Sequence, residues 1–141
     1  MKIVMCADHA GFELKEQLKD YLSKTSDIID VGANAIDNDD SYVDYAKKAN
    51  KQVVDNNCYG IYVCGSGVGM SIVANKQRGI RAVMPASVEL VEKSRQHNNA
   101  NVLCLGARFI TLEEAKKIVD KFLSTDFLGG KYQTRLQSIE D

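Results

Sequence analysis

The sequence predicts an α/β protein in which helices cover both faces of a five-stranded parallel sheet. Short apolar runs of strand length alternate with patterns of helical period along the whole chain. Strands that alternate with helices in this way form parallel sheets. The chain has 141 residues, about the size of one domain, and contains no internal repeat or low-complexity tract. We therefore expect a single domain over residues 1–141.

Two strand–helix pairs occupy the first part of the chain. The apolar run KIVMCA (2–7) predicts the first strand, and residues 12–24 follow with leucines at every fourth position, the spacing of one helix face. The run DIIDVG (27–32) predicts the second strand. After a polar loop, residues 42–55 predict the second helix.

The middle of the chain repeats this pattern twice. The run YGIYVCG (59–65) predicts the third strand, and residues 68–76 predict a helix directly after a group of glycines. The run IRAVMP (80–85) predicts the fourth strand. Residues 87–97 predict the next helix, with Ser87 as its N-cap, because a serine oxygen can accept a hydrogen bond from a free amide of the first turn.

The last pair is followed by a break and a C-terminal helix. The run ANVLCLG (100–106) predicts the fifth strand. Thr111 and Glu114 have the spacing of a capping box, so a helix is expected to begin there and continue through Leu123. After a double glycine, residues 129–141 predict a short final helix.

Composition excludes several functional classes. Eighteen basic residues balance nineteen acidic ones, so no broad positive field exists for nucleic acid or a membrane surface. The first apolar run is too short for a signal peptide or a membrane span. The four cysteines include no CxxC pair, and Cys6, Cys58 and Cys104 are expected to pack in the core. We expect a cytoplasmic protein with reduced thiols and no nucleic-acid or membrane partner.

Polar side chains follow three of the predicted strands. Asp8 and His9 follow the first strand, residues 64–69 follow the third, and Arg108 follows the fifth. Parallel α/β sheets bind ligands at the carboxyl ends of their strands. We therefore expect these residues to line one ligand site.

The loop CGSGVGM (64–70) matches no common phosphate-binding motif. Met70 occupies the place of the last glycine of a dinucleotide fingerprint and of the arginine of a cysteine phosphatase, and the Gly-Lys-Ser/Thr of a Walker loop is absent. The loop amides nevertheless lie at a helix N-terminus, where they stabilise negative charge and favour a thiolate at Cys64. Such a site suits a reaction that moves a proton and forms an oxyanion. The alternative is a structural Cys64 beside a tight glycine turn.

Two histidines and two further cations complete the candidates. His9 lies at the expected ligand edge, whereas His97 ends a helix and either carries a proton or caps that helix. Lys131 and Arg135 are four residues apart on one helix face. Together with Arg108 they can hold a small anion such as phosphate, or they form an ordinary solvated pair.

Several segments, in order along nearly the whole chain, resemble the ribose-5-phosphate isomerase B family. These segments are MKIVMCADHAGFELK, VCGSGVGMSIVANK, GIRAV, SRQHNNANVLCLGAR and GGKYQTR. Members of this family isomerise pentose, tetrose and hexose phosphates, including allose and galactose 6-phosphates. The resemblance implies a Rossmann-like three-layer α/β/α sandwich that needs no metal or organic cofactor. It also implies a homodimer or homotetramer whose sites are shared between subunits.

The resemblance implies a role for each matching residue. Cys64 falls on the base that moves a proton between C1 and C2, while Met70 stands where another branch has a glutamate. Ser66 matches the residue that orients the reacting end, and His97 matches the one that opens the furanose ring. The other matching positions are Gly65, Gly67, Val68, Gly69 and Met70 as amide donors to the enediolate, Asp8 and Asn98 near the ring, Tyr42 in the site wall, and His9, Arg108 and Arg135 at the phosphate.

The chain departs from the family pattern at three places. Lys131 and Tyr132 stand where the family commonly has Arg-His, and a lysine keeps the charge but loses the bidentate geometry of arginine. Val43 replaces the usual proline after the site tyrosine, and Pro85 follows the fourth strand. These positions concern phosphate binding and the rim of the site, so they bear on the preferred sugar and leave the chemistry unchanged.

We expect a cofactor-independent aldose–ketose isomerase that interconverts ribose 5-phosphate and ribulose 5-phosphate through an enediolate. Galactose 6-phosphate, allose 6-phosphate and a tetrose phosphate are alternative substrates. Galactose-6-phosphate isomerase resembles a hetero-oligomer of two such chains, one of which lacks the cysteine. The presence of Cys64 argues against this chain being the inactive subunit of such a pair. A non-catalytic sugar-phosphate-binding paralogue would keep the arginines and lose the proton carriers, and here both Cys64 and His97 are present.

Overall fold

Within residues 1–140, the part of the chain that the structure describes, five strands alternate with five helices, and a sixth helix follows. The structure is a computed structural model. The strands are β1 (Lys2–Ala7), β2 (Asp27–Asp30), β3 (Tyr59–Cys64), β4 (Ala82–Val83) and β5 (Val102–Gly106). The helices are α1 (Phe12–Leu22), α2 (Tyr42–Asn56), α3 (Val68–Asn75), α4 (Val88–Asn98), α5 (Leu112–Ser124) and α6 (Lys131–Ile139). Asp141, the last residue of the predicted C-terminal segment, lies outside the described residues.

The strands form one parallel sheet in the order β2-β1-β3-β5-β4. Helices α1, α4 and α5 cover one face and bury Leu18, Val91 and Phe122 against it. Helices α2 and α3 cover the other face and bury Val53 and Met70. Because both faces are covered, the central strands β1, β3 and β5 read as continuous apolar runs. The predicted Rossmann-like α/β/α sandwich is confirmed.

All four cysteines, Cys64 included, pack in or against one core cluster, as the sequence predicts for Cys6, Cys58 and Cys104. Cys6 and Cys104 are buried between the sheet and the helices α2 and α3, and burial raises the pKa of both thiols. Cys58 is half-buried and packs against the same cluster. Burial raises its pKa as well. The thiols of Cys6, Cys58 and Cys104 are therefore structural.

The two edge strands are shorter than the sequence predicts. The predicted strand 80–85 is reduced to β4, because side-chain amides replace the ladder at its start: the Arg81 amide donates to Asn101 Oδ1 at 2.7 Å, and the Ala82 amide donates to Asn75 Oδ1 at 2.8 Å. The predicted strand 27–32 ends at Asp30, whose Oδ1 accepts a hydrogen bond from the Gly32 amide at 2.9 Å. Polar side chains thus limit the length of both edge strands, β2 and β4.

The helix ends follow the predicted caps. Ser87 Oγ accepts a hydrogen bond from the Leu90 amide at 3.1 Å. Thr111 and Glu114 form the predicted capping box, with both reciprocal hydrogen bonds at 3.1 Å. Among the helices described, none is long and apolar enough to cross a membrane.

Candidate active site

The carboxyl ends of β1, β3 and β5 meet at one edge of the sheet. In the strand registers Ala7 pairs with Val63, and Cys64 pairs with Gly106. The amide of Asp8 donates to the carbonyl oxygen of Val63 at 3.3 Å. The loops that follow these three strands are therefore neighbours, as the strand order requires.

Cys64 ends β3, and its sulfur contacts the loop that enters α3. The amide of Gly67 donates to Cys64 Sγ at 3.2 Å, and Cys64 is only 5% exposed. Gly67 adopts a φ of +81°, which other residues rarely tolerate, at the turn that leads from Cys64 into α3. A sulfur in this position lies in the partial positive charge of a helix N-terminus, which stabilises an anion.

Two side chains lie directly against the glycine loop. A Cβ atom added to Gly69 would lie 2.6 Å from the ring of Tyr42, and one added to Gly65 would lie 3.0 Å from Nη1 of Arg108. The Arg108 amide also donates to the Gly65 carbonyl at 3.0 Å. The absence of side chains at these glycines therefore lets a phenol ring and a guanidinium form the walls of the site.

The other loop residues differ in what they offer a ligand. Ser66 is exposed, and its hydroxyl accepts a hydrogen bond from the amide of Val68 at 3.2 Å. The Val68 side chain is exposed, whereas Met70 is fully buried. The Met70 side chain therefore packs in the core and offers no group to a ligand.

Asp8 and His9 have separate partners although they are adjacent. Asp8 is 6% exposed, and its Oδ1 accepts a hydrogen bond from the Gly11 amide at 3.0 Å. His9 Nδ1 lies 2.8 Å from Asp40 Oδ1, and the His9 amide donates to the same oxygen at 3.1 Å. The hydrogen bond to Asp40 raises the pKa of His9 above its ordinary value. A cationic ring is therefore favoured at this edge.

Asp40 is a site residue that the sequence does not predict. It lies in the acidic segment IDNDDS, between β2 and α2, and 31 positions separate it from His9. Its one signal in the sequence is its place two residues before Tyr42. Other acidic residues surround it in that segment, so the sequence does not distinguish it from a solvated loop carboxylate.

A buried lysine anchors the loop that carries Asp40 and Tyr42. Lys15 is fully buried in α1 and donates to both carboxylate oxygens of Asp30, each at 2.9 Å, and to the carbonyl oxygen of Ala33. Burial by itself would raise the pKa of Asp30, but the hydrogen bonds from Lys15, Lys19 and the Gly32 amide lower it overall. Asp30 is thus held as a carboxylate at the start of this loop.

The remaining candidates lie at the opposite edge of the sheet. Helix α4 runs from the carboxyl edge back to the start of β5, so His97 and Asn98 lie near the amino ends of the strands. The two edges are about 16 Å apart, the length of a six-residue strand such as β3. Within one chain the structure does not bring His97 or Asn98 to Cys64.

His97 belongs to a second cluster with the start of α6. Its ring stacks on Tyr132, with ring centroids 4.4 Å apart. Lys131 Nζ lies 5.3 Å from the centroid of the same phenol ring, and the Arg135 guanidinium carbon lies 5.8 Å from it. The structure therefore divides the predicted site residues into two groups. One group surrounds Cys64, and the other surrounds Tyr132.

The residues that could hold a metal ion are Asp8, His9 and Asp40. One ligand atom from each lies within 4.8 Å of the others. His9 Nδ1 and Asp40 Oδ1 are already at hydrogen-bonding distance, 2.8 Å, so an ion would have to break this contact. We therefore interpret the trio as an ion pair beside Asp8.

Comparison with known proteins identifies the family. A model of the family described as Ribose/Galactose Isomerase matches residues 3–139. The chain belongs to this family.

The relatives in the Ribose/Galactose Isomerase family are similar over nearly their whole length. The chain is 41% identical to ribose-5-phosphate isomerase B of Escherichia coli, over 98% of this chain and 93% of that protein. The crystal structure of a ribose 5-phosphate isomerase from Thermotoga maritima superposes with a TM-score of 0.94, at 45% identity over 99% of this chain and 97% of that chain. The structure of ribose-5-phosphate isomerase B from Mycoplasma genitalium with bound ribulose-5-phosphate has a TM-score of 0.93, at 40% identity over 98% and 93% of the two chains.

Membership of the Ribose/Galactose Isomerase family makes this chain an enzyme, a sugar-phosphate aldose–ketose isomerase. The candidate residues around Cys64 lie at the carboxyl edge, where a parallel α/β sheet offers loops and a helix N-terminus to an anionic ligand.

Proposed function

We propose that this chain interconverts ribose 5-phosphate and ribulose 5-phosphate through an enediolate, with Cys64 as the base that transfers the proton. The observation that carries the proposal is the contact between Cys64 Sγ and the Gly67 amide, 3.2 Å, in a nearly buried position at the start of α3. The substrate pair is supported by the Mycoplasma relative, whose structure contains ribulose-5-phosphate.

The reaction can be written with the groups of this site. The Cys64 thiolate removes the proton from C2 of the open-chain aldose, and the electron pair forms a C1–C2 double bond while the C1 oxygen becomes negative. The same thiol then returns the proton to C1. The hydroxyl proton on O2 passes to O1, and O2 becomes the carbonyl oxygen of the ketose. No hydrogen or electron is gained or lost overall.

The glycine loop suits the charge that this step creates. Amide donors that are already in place stabilise an oxyanion without reorganising, and this effect is large in a site from which water is excluded. The Gly67 amide contacts the sulfur, and the following amides belong to the first turn of α3. Tyr42 and Arg108 close the site on two sides. We assign the enediolate oxygen to this loop and the Ser66 hydroxyl to the reacting end of the sugar.

The phosphate end of the substrate is assigned to His9 and Arg108 of one chain. His97, Asn98, Lys131 and Arg135 are about 16 Å away at the other edge of the same chain, which is farther than one pentose phosphate spans. We propose that a second copy supplies them, so that each site combines the Cys64 group of one subunit with the Tyr132 group of another. A homodimer with twofold symmetry forms two such sites, and a homotetramer can contain two such dimers.

The substrate assignment is tested by a panel of sugar phosphates with four, five and six carbons. We expect the highest kcat/KM with ribose 5-phosphate and ribulose 5-phosphate. Higher values with galactose 6-phosphate, allose 6-phosphate or a tetrose phosphate would reject the pentose assignment. Exchange of the C2 proton with solvent deuterium during turnover tests the enediolate, because a direct hydride shift would retain that hydrogen.

A further inference from the structure

The contact between His9 and Asp40 joins two loops that are distant in the sequence. His9 follows β1, and Asp40 lies in the loop that leads from β2 to α2. One oxygen of Asp40 accepts from the His9 amide at 3.1 Å and lies 2.8 Å from His9 Nδ1. Because the same oxygen contacts the backbone and the ring of one residue, it sets both the position of His9 and the orientation of its imidazole.

Asp40 is placed there at a cost to folding stability. Its side chain is only 6% exposed. Its Oδ2 is buried and has no hydrogen-bond partner among residues 1–140. Burial of a carboxylate oxygen without a donor is unfavourable, and such a group calls for a reason beyond packing. The other oxygen of this carboxylate contacts His9, so we look for the role of Asp40 in the protonation and orientation of the His9 ring.

The contact determines which nitrogen of His9 can meet a ligand. Asp40 occupies Nδ1, and the ring is 29% exposed, so Nε2 is the nitrogen that is left for a ligand. In a neutral ring with its proton on Nδ1, Nε2 is an acceptor and repels a phosphate oxygen. While the Asp40 carboxylate accepts the proton of Nδ1, Nε2 donates to phosphate only when both nitrogens carry protons.

We propose that Asp40 is a positioning residue, which holds His9 as an imidazolium with Nε2 directed at the phosphate of the substrate. The proposal rests on the proposed function in that it takes the phosphate to be the ligand of His9. Asp40 does not touch the phosphate itself, since its own charge would repel it. It acts through His9 and extends phosphate binding to higher pH.

Three charged groups act on His9, and they come from three different segments. Asp40, from the β2–α2 loop, raises its pKa most strongly, through the hydrogen bond. Asp8, at the end of β1, raises it as well, whereas Arg108, after β5, lowers it. Without Asp40, the opposing charges of Asp8 and Arg108 would remain, and the imidazolium would lose the one partner that holds it directly.

The experiment compares the parent with Asp40→Asn and with Asp39→Asn. The first variant keeps the shape of the side chain and removes its charge. The second is the matched control, because Asp39 is exposed, lies next to Asp40 in the same loop and loses the same charge. Asp40→Ser serves as a second charge-removing variant if Asp40→Asn does not fold. The measurements are the NMR titration of His9, KM and kcat for ribose 5-phosphate, and the Kd of inorganic phosphate, from pH 5.5 to 8.5.

We expect His9 to titrate at lower pH in Asp40→Asn than in the parent or in Asp39→Asn. The chain has two histidines, so a His9→Asn spectrum assigns the signals. At pH 8 the KM for ribose 5-phosphate and the Kd of inorganic phosphate should rise about fivefold in Asp40→Asn, the difference between a charge-assisted and a neutral hydrogen bond, with little change in kcat. At pH 5.5 the effect should nearly vanish, because the ring is protonated in both proteins.

A double-mutant cycle with His9→Asn completes the test. If Asp40 acts through His9, Asp40→Asn should add little to the KM in the His9→Asn background. An unchanged His9 titration, a KM effect that is equal at both pH values, or a full effect in the absence of His9 would each overturn the proposal. Phosphate binding separates it from the proposed function. If ribose 5-phosphate is not isomerised but inorganic phosphate shows the expected pattern, the proposed function fails and the role of Asp40 stands.

Discussion

The imidazole ring of His97 lies flat against the phenol ring of Tyr132, with ring planes inclined by 9°. His97 is in the last turn of α4 and Tyr132 is in the first turn of α6, so the stacking joins the two helix ends. Lys131 and Arg135 approach the same phenol ring. One aromatic side chain thus packs against an imidazole ring and two cations.

The role of His97 is tested by comparing sugars that differ in ring formation. We expect His97→Asn to lower turnover of pentose phosphates, which close a furanose ring, by roughly 10²- to 10⁴-fold, the usual contribution of a general acid–base group. A tetrose phosphate cannot close such a ring with the phosphate in place, so its turnover should fall much less. Steady-state assays with both sugars measure the difference. Equal losses would mean that His97 serves another purpose, such as capping α4.

The shared site makes a prediction about mixtures of two inactive variants. Cys64→Ala carries an intact His97, and His97→Asn carries an intact Cys64. When equal amounts of the two variants are mixed, unfolded and refolded, about a quarter of the parent's activity should return. Half of the dimers then contain one chain of each variant, and each of these dimers has one intact site of two. Activity no higher than that of the separate variants would contradict a site formed by two chains.

The proton-transfer role of Cys64 is tested by its removal. Cys64→Ala should lose roughly 10²- to 10⁴-fold in kcat and bind inorganic phosphate as before, because His9 and Arg108, the groups assigned to the phosphate, remain. Cys58→Ala is the matched control, since Cys58 is a half-buried thiol just before the opposite end of β3, and it should keep its kcat. Equal losses in the two variants, or a fully active Cys64→Ala, would reject the assignment.

Phosphate binding by α6 predicts unequal effects of its two cations. Arg135→Ala should raise KM for the sugar phosphate roughly ten- to a hundredfold, the worth of a charge-assisted hydrogen bond. Lys131→Ala should raise it less, because an ammonium makes a point contact where a guanidinium can bind two oxygens. Lys131→Arg should lower KM below that of the parent. If Arg135→Ala changes neither KM nor inhibition by inorganic phosphate, the phosphate is bound elsewhere.

The Lys15–Asp30 pair predicts a large loss of stability and a change in its pH dependence. Lys15→Met should lower the free energy of unfolding by about 3 kcal/mol, because a buried carboxylate loses its main partner. The hydrogen bonds hold the pKa of Asp30 in the folded protein below its ordinary value of 3.8. The Asp30 carboxylate therefore contributes fully to the free energy of unfolding above pH 3.8, and this contribution is lost as the pH falls through the pKa of the folded state. In Lys15→Met the acid loss should begin at higher pH.

Urea unfolding between pH 3 and pH 7 measures both effects. Lys51→Met is the control, because Lys51 also pairs with an aspartate, Asp55, but is 74% exposed. Such an exposed pair contributes about 0.5 kcal/mol or less. Similar losses in the two lysine variants, or an acid limb that is the same in Lys15→Met and the parent, would contradict the role given to the buried pair.

The sheet and its helices could be predicted because their evidence is local. The central strands β1, β3 and β5 are buried on both faces and therefore read as continuous apolar runs, and the capping box of Thr111 and Glu114 marks a helix start within four residues. The length of β4 could not be predicted, since the side chains that end it, Asn75 and Asn101, belong to other segments.

By itself, the sequence determined the glycine loop after Cys64 and its edge of the sheet. The glycines after Cys64 are contiguous with it, and the strand order of a parallel α/β fold places Asp8 and Arg108 beside them. Only the tertiary structure decided that Asp40 pairs with His9, because the role of a loop carboxylate depends on which residues the fold brings within 3 Å of it. It also decided that His97 stacks on Tyr132 at the amino edge, away from Cys64, because α4 returns to that edge before β5 runs parallel to β3 and α6 packs beside the end of α4.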